Sequence, residues 1–525
     1  MLRPLKLLNP LALAVLLSLA SLAGAESIVV GLSQDVNNWN PARTSTSVDG
    51  GIIENVYEKL VDFDRQGNPT PALAESWESI EPGVWEFRLR PNVQFTNGEP
   101  FNAEVVKKNL EFQRDDVEMG ARSWLQDIVE VEVVDDLTVH IHTDGPAPEL
   151  VNALSWTGRM IPLEYGYEGD GYSPHINTEP VGTGPYQLVE WDRDNRIILE
   201  HNEGWWGPEP DIKRVEIRIQ PEGVTRTAAL LSGEVDFIDN PNPEDIDRLS
   251  QTDGLAVEIL PAQRVAYLFM DSHREQGGAT PDGSPGIAAG QPNPLVDARV
   301  RQAMYQAIDR ELIAEELHEG LVIPAYQLML PTSYAFNDAL TAPEYDPEAA
   351  RQLLAEAGYE QGFSVEIVSL RGRLPRDEET VLFAASQLQE IGIDASVRGL
   401  APTAAFEAYD VYDVSMGLQS WGALTMPGMS WEGIAYGAPD RDYWGRQNHG
   451  RFYSPAINSV LDDLAQETDL EVRAELFQEL GELFMEEFPV VPLFYTTNVR
   501  AMKDHLVYDT QGVELIYYKD IEVRR

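Results

Sequence analysis

The chain of 525 residues contains no cysteine. Disulfides, thiolate nucleophiles, cysteine-ligated zinc and iron–sulfur clusters are excluded, as is a lipid-modified N-terminal cysteine. Lysine is nearly as scarce, with seven against 31 arginines. Basic residues as a whole are outnumbered, 38 Lys and Arg against 87 Asp and Glu, for a formal charge of −49. So acidic a chain repels phosphate backbones, so no nucleic acid partner is expected, and anionic lipid surfaces are disfavoured. Lysine depletion with abundant acid points to a surface adapted to high salt, where screening relieves self-repulsion.

Catalytic signatures are missing too. No phosphate-binding G-x-x-x-x-G-K-[ST] loop, G-x-S-x-G elbow or H-E-x-x-H helix occurs. Gly182-Thr183-Gly184 runs into Pro185-Tyr186, which leaves the dinucleotide fingerprint incomplete. His140 and His142 share one strand face, a spacing that can chelate a metal, but a wet sheet surface is the preferred reading. No cofactor, metal or catalytic residue is expected.

Long apolar runs are confined to the N-terminus. Arg3 and Lys6 precede the apolar stretch 11–23, and Ala23-Gly24-Ala25 offers small residues to a peptidase. This is the pattern of a secretory signal peptide over residues 1–25, too short to span a membrane. Its removal takes the formal charge from −49 to −51. The length is ample for a large core and, at about 150 residues per domain, for roughly three to four domains.

Ser27–Leu32 reads as a buried strand, and period-two alternation predicts strands over Trp85–Arg90 and Arg214–Gln220. Hairpins are expected where Asp135-Asp136 joins Ile128–Val134 to Leu137–His142, and where Asp192–Asn195 joins Pro185–Trp191 to Arg196–His201. Helical spacing marks Phe101–Phe112. Ser272–Leu295, rich in Gly and Pro, reads as a long surface excursion. Helices then open at Asp297, Asp346-Pro347, Ser454-Pro455 and Asp469, each an N-cap residue ahead of an apolar stripe. Phe488–Tyr495 returns to strand. The fold class is mixed α/β with two unequal halves.

Several tryptophans sit beside Asn, Arg or Gly rather than in apolar runs: Trp39, Trp124, Trp156 and Trp421. Such rings give a ligand cleft flat apolar walls with a polar handle, and they serve equally as ordinary packing. An arginine in such a cleft can grip a carboxylate with its two-pronged guanidinium.

Read in order, several segments resemble one family. They are Asn55–Leu60, Pro71–Trp77, Phe87–Val93, Asn97–Phe101, Gly182–Tyr186, Gly233–Asp236, Val300–Ala303 with Ile308–Arg310, and Tyr412–Val414. Together they resemble the family 5 extracytoplasmic solute-binding proteins, which serve peptide, nickel and opine ABC importers. The resemblance implies a periplasmic-binding-protein-like α/β fold of the class II type, with a ligand cleft between two lobes. Lobe I would comprise 26–264, with a subdomain near 58–178, and 491–525; lobe II would be 265–490. It implies a monomeric periplasmic receptor that is not an enzyme. Its partners would be a small-molecule or peptide ligand and the permease subunits of the inner membrane.

The site residues follow from the same resemblance. Arg371, with Arg373 as a rival, matches the position that holds a peptide carboxylate in similar dipeptide-binding proteins. Leu424 replaces their ammonium-binding Asp, which disfavours a free-amine dipeptide. Trp124, Trp421 and Arg159 match cleft residues of similar nickel-binding proteins. Their second arginine corresponds to Ala121, next to Arg122, and their tyrosine to Thr425; His449 lies far from their histidine. The expected ligand-binding set is Arg371, Arg159, Arg122, Trp421, Trp124 and Trp39. A carboxylate-bearing peptide or peptide-like solute is favoured over a nickel chelate, an opine or an oligosaccharide. A hydrolase on the same fold and a partner-binding sensory module are the readings from other classes.

Overall fold

The computed structural model describes residues 27–43, 47–64, 67–119, 122–278, 283–422, 426–437, 445, 447–508 and 515–524. The chain opens with β1 (Ser27–Leu32) and α1 (Ser47–Ile53). A small unit follows, made of β2 (Ala74–Glu81), β3 (Val84–Leu89), α2 (Ala103–Asp115), β4 (Ile128–Asp135), β5 (Thr138–Thr143) and α3 (Leu150–Trp156). Its antiparallel sheet has the order β2-β3-β5-β4. Phe87, Leu89, Val131, Val139 and Ile141 of that sheet share a core with Val105, Val106 and Leu110 of α2. Asn102 starts α2 by accepting a bond from the Val105 amide, and Asp135 shapes the predicted hairpin turn by accepting from Leu137.

The chain then returns to the large sheet through Gly182-Thr183-Gly184. A Cβ at Gly182 would lie 1.9 Å from the Val56 carbonyl oxygen, so the motif permits close backbone approach. The second predicted hairpin is β6 (Tyr186–Asp192) with β7 (Arg196–His201), followed by β8 (Arg214–Ile219), α4 (Gly223–Ser232) and β9 (Phe237–Asp239). Strand β10 (Leu255–Met270) leaves this region. Beyond it lie α5 (Ala298–Gln306), α6 (Pro347–Glu356), β11 (Ser364–Leu370), α7 (Asp377–Glu390), β12 (Asp394–Leu400), α8 (Pro402–Asp410) and β13 (Met416–Trp421). The chain continues through α9 (Pro427–Ala435), α10 (Pro455–Leu464) and α11 (Leu470–Glu487), and β14 (Val490–Lys503) brings it back. The predicted caps all act: Asp297, Asp346, Ser454 and Asp469 each accept a bond from an amide of their own helix's first turn.

One 11-stranded sheet runs through the molecule in the order β6-β7-β8-β1-β9-β14-β10-β13-β11-β12, with Val322–Pro324 added beside β14. Two separate cores flank it. One gathers Val30, Tyr186, Leu199, Val215, Ile217, Phe237 and Met502. The other gathers Leu268, Ile367, Met416, Leu418, Leu461, Phe477, Leu480 and Phe494. Among the described residues, only β10 and β14 contribute to both halves of the sheet. Their ladder slips between Pro261 and Val265, opposite Thr497 and Tyr495. Pro261 has no N–H to give, and the unpaired residues that follow bend and twist the ribbon there. Val490 to Tyr495 pack in the second core, whereas Ala501 and Met502 pack with the first half. The chain therefore changes core near residues 496–497 of β14.

Candidate functional site

Strands β11, β12 and β13 run parallel, so their carboxyl ends line one edge of the second half. Arg371 follows β11, Trp421 ends β13, and helices α7, α8 and α9 open from the same edge. Ligands of parallel α/β layers bind outside this edge. Trp421 pairs with Val265, directly beside the ladder slip, and its indole donates to the Ser430 hydroxyl at 3.0 Å. Arg264, inside the slip, lies against the same segment: its Nη1 is 3.4 Å from Ser420 Oγ. A Cβ on Gly422 would come 3.0 Å from its Nη2. Sequence reading missed Arg264, because only the irregular ladder carries it next to Trp421. Arg371 keeps 58% of its side chain exposed and grips Glu378 with two bonds of 2.9 Å. The Arg373 amide donates to Asp377.

The first half presents a second group. Trp124 meets Trp156 edge-on at 6.5 Å, and Trp156 stacks on Phe63 at 5.1 Å. Phe63 touches Tyr517, whose hydroxyl donates to Glu54 at 2.5 Å. Glu54 also receives Lys59 and Arg159, and all three of these charged side chains are buried. Burial pushes the Glu54 carboxyl up, but Lys59 and Arg159 outweigh it and hold the group below the ordinary carboxylate range. The Arg159 Nε has no hydrogen-bond partner among the described residues. Arg122 donates its Nε to the Arg114 carbonyl at the end of α2.

The structure thus links Trp124 to Arg159 through a continuous chain of rings and ion pairs, and sets Trp421 and Arg371 on one strand edge. Trp39 belongs to neither group. It is 0% exposed, enclosed in the first core with its ring against Trp191 at 6.2 Å, so it offers no surface to a solute. Its flanking asparagines make turns: the side-chain oxygen of Asn38 accepts from the Asn40 amide, and that of Asn40 from Ala42. Leu424, Thr425 and Ala121 lie outside the described residues. His449 is buried against Tyr409 and Phe269, and desolvation lowers its pKa to about 4. His140 and His142 face Glu86 and Glu132 on the small sheet, and no cluster suited to a metal ion occurs among the described residues.

The family model described as bacterial extracellular solute-binding proteins, family 5 Middle, matches residues 68–437. The chain belongs to this family. As a family 5 solute-binding protein it is 28% identical to the dipeptide-binding protein of Escherichia coli strain K12 over 386 residues, 69% of each chain. It is 25% identical to the glutathione-binding protein GsiB of Salmonella typhi over 510 residues, 95% of each chain. Among solved structures it resembles the ABC transporter-associated periplasmic binding protein DppA of Helicobacter pylori in complex with the peptide STSA. There the TM-score is 0.76 at 23% identity, covering 96% of this chain and 100% of that one. The two-lobed family 5 fold accounts for the two cores and the pair of strands between them.

Proposed function

We propose that this solute-binding receptor captures a peptide or peptide-like solute bearing a carboxylate and delivers it to the permease of an ABC importer. The observation that carries this reading is the strand ribbon β10/β14, slipped at Pro261–Val265, with Trp421 and Arg264 beside the slip. A solute bound there is reached by both lobes, and its binding energy favours the closed state. Trp421 and Trp124 supply apolar walls, and Arg371, Arg159 and Arg122 supply positive charge. Of these, Arg371 is the cation open to exchange: its Glu378 partner is itself partly exposed, so a solute carboxylate competes for the guanidinium. Relatives that carry peptides and glutathione by name support a solute of this class. Lobe I is read as 26–264 with 491–525, and lobe II as 265–490. Residues 1–25 are read as a cleaved leader that exports a monomeric, non-enzymatic receptor to the periplasm.

Native mass spectrometry of protein purified from its own periplasm tests this directly. A mass beginning at Glu26 and release of a peptide on denaturation are expected. Release of a metal chelate, an opine or a sugar overturns the solute class. Arg371→Ala should leave the fold intact, as exposed substitutions do. It should weaken binding of the released peptide by about tenfold to a hundredfold, as loss of a charged hydrogen bond implies. Unchanged affinity by titration calorimetry would remove Arg371 from the site.

A further inference from the structure

Glu149 and Arg473 belong to different cores. Glu149 precedes α3, whose Leu150, Val151 and Leu154 pack in the small unit, while Arg473 lies on α11, whose Phe477 and Leu480 pack in the second core. Their side chains nonetheless form an ion pair, with 12% and 3% of each exposed. Arg473 is fixed in advance on its own side, donating Nη1 to the carbonyls of Leu464 and Glu467 near the end of α10. Glu149 is likewise steadied on its own side by Asn152, which donates to its other oxygen at 2.9 Å. The Glu149 carboxylate also rests on Gly428 at the start of α9, where a Cβ would fall 2.6 Å from Oε1. Alongside, Gly145 of the small unit faces the Gln466 amide, with a Cβ at Gly145 lying 3.5 Å from it. Two prepositioned, oppositely charged groups thus meet where the small unit touches helices of the second core, with Gly428 two residues from Ser430, the partner of Trp421.

We infer that Glu149 and Arg473 form the clasp of the closed receptor: they are positioning residues that set how far lobe closure is favoured. This rests on the closing-receptor reading above. Arg473 also feels Tyr334 and Glu432, but Glu149 is its largest charged partner, so truncating the pair weakens the contact that joins the two sides.

The absence of native cysteine permits a clean test. Spin labels at Val129→Cys and Val411→Cys, sites 60% and 73% exposed, report the interlobe distance in the full chain. Glu149→Gln should raise the population of long distances about tenfold, the factor that corresponds to roughly 1.4 kcal/mol. Gly428→Ala keeps every charge and suits a helix, yet displaces the carboxylate, and should shift the distances the same way. Asn152→Ala, which loosens Glu149 but keeps the ion pair, should shift them less than either of those variants. Both clasp variants are compared with wild type, with and without a defined dipeptide mixture. Distances identical to wild type in folded Glu149→Gln and Gly428→Ala proteins overturn the clasp. A dipeptide-induced shift in those same samples would still uphold the receptor reading, so the two fail separately.

Discussion

Glu58 shows how one side chain takes its chemistry from its surroundings. Its carboxyl accepts from the indoles of Trp205 and Trp206 at 3.1 and 3.0 Å, and desolvation, partly offset by those donors, raises its pKa to about 7. The folded protein therefore holds this proton more tightly than the unfolded chain. The associated stability is complete below about pH 4.5 and is lost as pH rises through about 7. Glu58→Gln should lose less melting temperature than wild type between pH 5 and pH 7.5. Parallel losses would mean that the carboxyl is ionised throughout. No pattern around Glu58 in the sequence announces this, because Trp205 and Trp206 lie far along the chain. The same holds for Arg159: its partner Glu54 is brought near only by the fold. Trp39 failed as a cleft residue for a different reason. Asparagines flanking a tryptophan signal a turn as readily as a ligand, and here they make the turn.

Elements were the most legible level. An apolar run marked β1, alternation marked β3 and β8, turn residues marked both hairpins, and cap residues marked α5, α6, α10 and α11, because these signals are local. Asp346 accepts from the amides of Glu348 and Ala349 at 3.1 and 2.9 Å. Asp346→Ala should cost about 1 kcal/mol in chemical denaturation, the usual worth of an N-cap. A variant as stable as wild type would show that Pro347 at the first helical position suffices. The two long strands were harder to read. Pro261 interrupts the pattern of β10, which carried no strand assignment. The expected strand at Phe488–Tyr495 stopped where the polar triplet Thr496-Thr497-Asn498 begins, although β14 runs on to Lys503. Both failures fall at the passage between the two cores, where a strand leaves one before entering the next.

For the whole molecule, the formal charge of −49 is the dominant property. Many arginines find carboxylates, as Arg371 does with Glu378, yet a large excess of negative charge is left over. Melting temperature is therefore expected to rise from dilute buffer towards molar salt, as screening relieves the repulsion. A flat or falling curve would count against a salt-adapted surface. The two-lobed organisation was legible only through the ordered family segments, since periodicity does not reveal which strands share a core.

The ladder slip has one more consequence. Val265 and Tyr495 are direct partners across β10 and β14, so more than two hundred residues of intervening chain begin and finish side by side. The segment between them, which carries the second core, is thus an insertion with touching ends. Cut out at those strands, that segment is a candidate for expression as a free-standing unit, and a tight turn would rejoin the strands left behind.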